Sequence, residues 1–153
     1  MDKRHQLAKI KIEEIMDLVV ATPTTIKADA DIDDVIIKIN DDLKTRHVYV
    51  VDDENRLIGS VRMNTIVQYL FPLGAIFTAG ITTYNNLNVN IFSKKVSDVM
   101  KKDPFYVKPN AQLSEIASIM INEKINELPV VDDDMKIVGQ INVYEIIEAF
   151  KKL

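Results

Sequence analysis

The sequence predicts a mixed α/β (α+β) fold built from two similar β-α-β-β-α units. Three observations carry that prediction. Val50-Val51-Asp52-Asp53 recurs 80 residues later as Val130-Val131-Asp132-Asp133, and each copy reaches an aliphatic pair and a glycine at the same spacing, Leu57-Ile58-Gly59 and Ile137-Val138-Gly139. Within each copy the apolar period switches between strand and helix in the same order, and a repeat at fixed spacing reports architecture before any single residue does. A unit of about 55–60 residues buries too little surface to be stable alone, so the two are expected to share a core.

The elements follow in chain order. A leading helix is predicted from about Lys3 to Met16. Thr24-Thr25-Ile26 in the first copy and Phe105-Tyr106-Val107 in the second are rich in branched or aromatic side chains and adjoin prolines, which predicts short strands. Ile32, Val35, Ile36, Ile39 and Leu43 then make one helical stripe, with Asp31 as N-cap and Asp33 and Asp34 at the positive end of the helix dipole. Leu113, Ile116, Ala117 and Met120 match them after the start signal Pro109-Asn110. Hairpins follow: Val48 to Val51 and Leu57-Ile58 flank a polar turn, as do Leu128 to Val131 and Ile137-Val138. A final helix closes each copy, read from Ile66, Val67 and Leu70 and from Val143, Ile146, Ile147 and Phe150. The boundaries read this way are 1–71 for the leading helix and first unit, 72–94 for a linker, and 95–153 for the second unit.

Composition narrows the function. Hydrophobic residues make up 47% and charged residues 27%, and the net charge of −4 argues against a surface built to attract nucleic acid or an anionic membrane. No cysteine is present, which removes disulfides and thiolate metal ligands and leaves a cytoplasmic location as the expectation. The longest mostly apolar run, Ile66 to Phe77, is far short of the roughly 20 residues needed to span a bilayer, so no membrane insertion is expected. The aspartates at 29–34, 41–42, 52–53 and 132–134 fit caps and turns, and no Asp-x-Asp-x-Asp-Gly loop is present, so no metal site is expected. Neither a Gly-x-x-x-x-Gly-Lys phosphate loop nor an activated nucleophile is recognisable, and the chain is not expected to be an enzyme.

With Ile15-Met16 and Val99-Met100 opening the copies, Leu128-Pro129-Val130-Val131-Asp132 at the second central strand, and a glycine before each last helix, the chain resembles a tandem pair of CBS (cystathionine β-synthase) domains. The resemblance implies a pseudo-two-fold pair of units with two clefts between them, a regulatory rather than catalytic role, and an adenosine-containing ligand: AMP, ADP, ATP or S-adenosylmethionine. No cofactor is required; the adenosyl compound would be a regulatory ligand. The implied partners are a second copy of the chain, in a homodimer, and a regulated protein of unknown identity.

The family's ligand motif, Gly-x-x-Thr/Ser-x-x-Asp, falls on Gly139 to Glu145 in copy two, with Asn142 in place of the hydroxyl and Glu145 one methylene longer. A carboxylate there can accept from both ribose hydroxyls, and helix N-termini favour phosphate. Copy one reads Gly59 to Thr65, with Arg62 in place of the hydroxyl and Thr65 in place of the acid. Before the central strands stand Arg46-His47 in copy one and Asn126-Glu127 in copy two. The resulting expectation places adenine near Thr24, Thr25 and Ile26, ribose on Glu145 beside Asn142 and Tyr144, and phosphate toward Arg46 and His47. Arg62, Thr65, Tyr106, Asn126 and Glu127 would line the second cleft. The alternative is a dimerisation or docking module without a small ligand, with its contact surface around Phe71 to Phe77.

Overall fold

Two short stretches of like sequence, Lys11-Ile12-Glu13-Glu14-Ile15-Met16 and Lys95-Val96-Ser97-Asp98-Val99-Met100, set the architecture. In a computed structural model describing residues 2–20, 22–41, 46–70 and 95–153, each forms a single turn closed by a carboxylate. Glu14 Oε2 accepts from Lys11 N at 2.8 Å, and Asp98 Oδ2 accepts from Lys95 N at 3.1 Å. Both turns are apolar on one side, and each covers the core of the other repeat.

The chain forms two compact units. A flanking unit holds Met1–Pro23, Glu54–Leu57 and Pro104–Leu153; a central unit holds Thr24–Asp53 and Ile58–Asp103. The sequence boundaries at 71 and 95 follow the repeats, whereas the compact units interleave them.

The flanking unit opens with α1, Lys3–Lys9, capped by Asp2, whose side chain accepts from Arg4 N at 3.3 Å. The leading helix stops there, short of the predicted Met16. Ile10 is extended, and the backbone pairs with the second repeat instead: Leu113 N donates to Ile10 O at 2.8 Å and Ile12 N to Ala111 O at 3.1 Å. A 3-10 turn at Ile12–Ile15 follows. Ile12, Ile15 and Val19 then enter one core with Leu113, Ile116 and Met120 of α5 (Leu113–Glu123) and with Leu128, Val130 and Ile141 of the hairpin. That hairpin is β5 (Glu127–Val131) and β6 (Ile137–Asn142), antiparallel, with a bulge at Val130/Val131. It is extended on both edges by single bridges, Val107 to Val130 in parallel and Val20 to Gln140 antiparallel. Of the predicted strand at Phe105–Val107 only this bridge at Val107 forms. α6 (Val143–Lys152) closes the unit.

The central unit carries a four-stranded sheet in the order β1 (Thr25–Lys27), β2 (His47–Val51), β3 (Leu57–Arg62), β4 (Lys101–Lys102). β1 runs parallel to β2 with Ile26 opposite Val50, and β4 pairs antiparallel with Gly59 and Ser60 of β3. Its core gathers Ile32 and Val35 of α2 (Ile32–Asp41), Ile66 of α3 (Met63–Leu70), the sheet residues Ile26, Val48, Val50 and Val61, and Val96 of α4 (Val96–Val99). Val96 N donates to Ala30 O and Ser97 N to Ala28 O, both at 2.9 Å, repeating the way the Ile12 turn is held in the flanking unit.

The final helices correct the predicted stripes. Ile66, Val143 and Ile146 face their cores, but Val67 is 51% and Ile147 52% exposed, with Leu70 and Phe150 also exposed. Neighbouring helix positions lie about 100° apart, so Val67 and Ile147 turn away where Ile66 and Ile146 turn in. Leu43, Lys44, Thr45 and the 72–94 linker, including the surface predicted around Phe71 to Phe77, lie outside the described residues. Among the described residues no helix is long and apolar enough to cross a membrane.

Candidate functional site

The predicted site residues divide between the two units. Thr24, Thr25, Ile26, Arg46, His47, Arg62 and Thr65 belong to the central unit; Tyr106, Asn126, Glu127, Asn142, Tyr144 and Glu145 belong to the flanking unit.

In the central unit β1 and β2 hold the first group. Thr24 O accepts from Tyr49 N at 3.0 Å, and Lys38 Nζ donates to Thr25 O at 2.8 Å, which fixes the strand backbone while Thr24 and Thr25 stay half-buried. Ile26 points into the core. His47 is half-buried, its ring parallel to that of Tyr49 with centroids 6.3 Å apart. Arg46 is exposed, and its carbonyl accepts from Met63 N at 3.1 Å, tying the entry of β2 to the start of α3. Arg62 ends β3 and Thr65 lies in the first turn of α3, so this bond gathers Arg46, His47, Arg62 and Thr65 at one end of the sheet.

The flanking unit repeats the arrangement with different chemistry. Val143 N donates to Asn126 O at 3.1 Å, and Glu127 lies directly across from Asn142 in the β5–β6 register. Asn142 caps α6: its Oδ1 accepts from Tyr144 N at 2.8 Å, while Glu145 Oε2 accepts from Asn142 N at 2.7 Å. This reciprocal capping box satisfies two amides that a helix start would otherwise leave open. The Asn-x-x-Glu spacing is its signature, so the structural duty of Glu145 is legible in the sequence beside the ligand role expected of it. Tyr144 is exposed, whereas Glu145 is 8% and Glu127 4% exposed.

Burial pushes the Glu145 carboxyl above the ordinary glutamate range; hydrogen bonds from the amides of Asn142 and of Glu145 itself oppose the shift, and the charge on Glu127 adds to it. A raised carboxyl binds protons more readily in the folded than in the unfolded chain. Folding therefore gains at this residue as pH falls through the raised value to below the ordinary glutamate pKa of about 4.3, and loses again as pH rises. Glu145→Gln keeps an acceptor for Asn142 N and removes the titration. We expect urea unfolding to favour the variant at neutral pH and that advantage to shrink as pH is lowered toward about 4. A constant difference across that range would exclude the effect.

A separate cavity of about 340 Å³ opens in the flanking unit, lined by Glu13, Lys108, Pro109, Asn110, Asp132 and Asp133. Lys108 and Asp133 pair across it at 3.0 Å, and none of the predicted site residues lines it. Among the described residues no group of three or more histidines or carboxylates is placed to hold a metal ion.

The CBS domain family model matches residues 12–72 and 96–152. Inosine-5'-monophosphate dehydrogenase of Helicobacter pylori is 31% identical over 148 residues, covering 95% of this chain and 26% of the enzyme. The chain spans about a quarter to a third of the length of the first curated relatives it matches. Among solved structures, a CBS domain-containing protein of Thermotoga maritima aligns with a TM-score of 0.73 and 30% identity over 94% of this chain and 96% of that one. Protein MJ1225 of Methanocaldococcus jannaschii aligns with a TM-score of 0.75 and 23% identity over 98% of this chain and 54% of that one.

Proposed function

Because the chain belongs to the CBS domain family, we propose that it is a regulatory module that binds an adenosine-containing ligand and passes its occupancy to a partner protein. The observation that carries the reading is the strand-to-helix junction at Asn142–Glu145. A carboxylate sits in the first turn of α6 at the motif position for ribose, and two carboxylate oxygens offer about four acceptor sites, of which the amides of Asn142 and of Glu145 itself take only part. Structures of the same fold were solved with AMP in CBSX2, and with S-adenosylmethionine and 5'-methylthioadenosine in MJ0100. At 21% and 18% identity they support the fold, and the ligand class comes to this chain as part of the proposal.

In this reading Glu145 and Asn142 hold ribose, Thr24, Thr25 and the backbone of Ile26 accept adenine, and Arg46 supplies positive charge for a phosphate, with His47 beside it. Tyr144 stands exposed beside the ribose residues, and Arg62, Thr65, Tyr106, Asn126 and Glu127 are the corresponding residues of a second site. The mechanism is differential affinity: a ligand that binds one arrangement of the repeats more tightly shifts the population toward it.

The exposed Val67, Leu70, Ile147 and Phe150 favour a second reading, a homodimerising or docking module that binds no small molecule. A thermal-shift screen with AMP, ADP, ATP, S-adenosylmethionine and adenosine separates the two. A ligand at 100 times its dissociation constant stabilises the fold by about 2.7 kcal/mol, which raises Tm by roughly 5–10 °C for a chain of this size. Glu145→Gln should weaken that ligand about tenfold, as expected for losing a hydrogen bond to a charged group. The absence of a shift with every compound, together with a dimer on sedimentation, would support the second reading.

A further inference from the structure

We propose that the two exchanged segments act as reciprocal straps that couple the repeats, one transmitting a change at β1 to β6 and the other a change at the Val107 bridge to β3. In the flanking unit the strap is Val19-Val20. Val19 is buried in the core, and Val20 and Gln140 exchange both backbone hydrogen bonds, at 3.1 and 2.8 Å. In the central unit the strap is Met100 to Lys102, paired with Gly59 and Ser60. The shared glycines are where these straps cross. A Cβ on Gly139 would lie 2.8 Å from Val19 Cγ1 and 3.1 Å from Val20 O; on Gly59 it would lie 2.6 Å from Met100 Sδ. The duplicated glycine is thus explained by close approach of the strap, through one side chain and one carbonyl at each, with no unusual φ at either.

The chain leaves each strap almost at once for the other unit. Val20 is four residues from Thr24, whose carbonyl holds Tyr49 N, and that length of chain reaches at most about 14 Å. Gln140, clamped by the strap, is two residues from Asn142, about 7 Å along a strand. A shift of β1 in the central unit therefore has a short covalent lead to the α6 cap in the flanking unit. The other strap mirrors it: Ser60 lies two residues before Arg62, and Lys102 five residues before Val107, which bridges Val130. The coupling needs no ligand and is tested without one, so its failure is distinct from failure of the adenosyl reading.

The chain has no cysteine, and a pair that exchanges both hydrogen bonds places its Cα atoms about 5.5 Å apart, within disulfide reach. Val20→Cys with Gln140→Cys therefore locks the strap on oxidation. Oxidation should slow amide exchange at Tyr49, in the other unit, by about tenfold, the scale of a typical coupling between sites. Four glycines inserted between Thr22 and Pro23 lengthen the lead and should confine the slowing to the flanking unit. Should the bridge fail to form, Gly139→Ala provides the opposite perturbation: faster exchange at Tyr49, abolished by the same insertion. An unchanged Tyr49 rate in the uninserted protein, or equal transmission with the insertion present, overturns the proposal.

Discussion

Ile12→Ala is expected to damage the second repeat, although Ile12 begins the first. Its side chain is fully buried among Leu113, Ile116, Leu128 and Ile141, and an isoleucine-to-alanine change in a packed core costs about 2–5 kcal/mol. For a chain of this size that lowers Tm by about 10 °C. The diagnostic is location. Amide exchange should accelerate most across α5, β5 and β6, with a smaller transmitted rise in the central unit. Val96→Ala is the counterpart, because Val96 is fully buried with Ile32, Val35, Val50 and Ile66. It removes two methyl groups and should cost about 2 kcal/mol, felt first in β1, β2 and α2. If Ile12→Ala instead loosened residues 25–66 most, the exchange of segments would be wrong.

That exchange marks where sequence reasoning stops. The hairpins were legible because Val48 to Val51 and Leu128 to Val131 are apolar runs before polar turns, and their turns close through Asn55 and Met135 in the left-handed region, both at φ 63°. The α2 and α5 faces were legible because Ile32 and Val35, like Leu113 and Ile116, keep the helical period and are all buried. Ile12-x-x-Ile15 and Val96-x-x-Val99 also declare an apolar face, but a period says only that the face is covered, never by what. Here duplication makes the choice illegible, since both cores offer an aliphatic groove of the same kind. The exposed Val67 and Ile147 fail for a related reason: a run of adjacent aliphatic residues does not say which one turns inward. At the candidate site the motif located Glu145. Its bond to the Asn142 amide is written in the Asn-x-x-Glu spacing of a capping box, but its burial comes from packing of α6 against β5 and β6, which neither pattern encodes.

The two repeated glycines, alike in sequence, should respond differently to the same substitution. At Gly139 an added methyl meets Val19 Cγ1 at 2.8 Å and the Val20 carbonyl at 3.1 Å. Val19 is buried and β-branched, so its side chain has few rotamers to retreat into, and the backbone behind it is hydrogen-bonded to Gln140. At Gly59 the nearest atom, at 2.6 Å, is the Met100 sulfur, the far part of an unbranched and adaptable side chain, while the Lys101 carbonyl is farther away at 3.2 Å. Gly139→Ala should therefore cost about 3 kcal/mol, the upper end for overpacking a tight contact, and Gly59→Ala about 1 kcal/mol. Denaturant unfolding of both variants measures the difference. Adding Val19→Ala to Gly139→Ala should recover part of the loss, because it removes the stiff methyl that the new Cβ strikes, a non-additive coupling of the kind neighbouring residues show. Equal costs at the two glycines, or no recovery in the double variant, would mean that something other than the strap crossing keeps these positions free of a side chain.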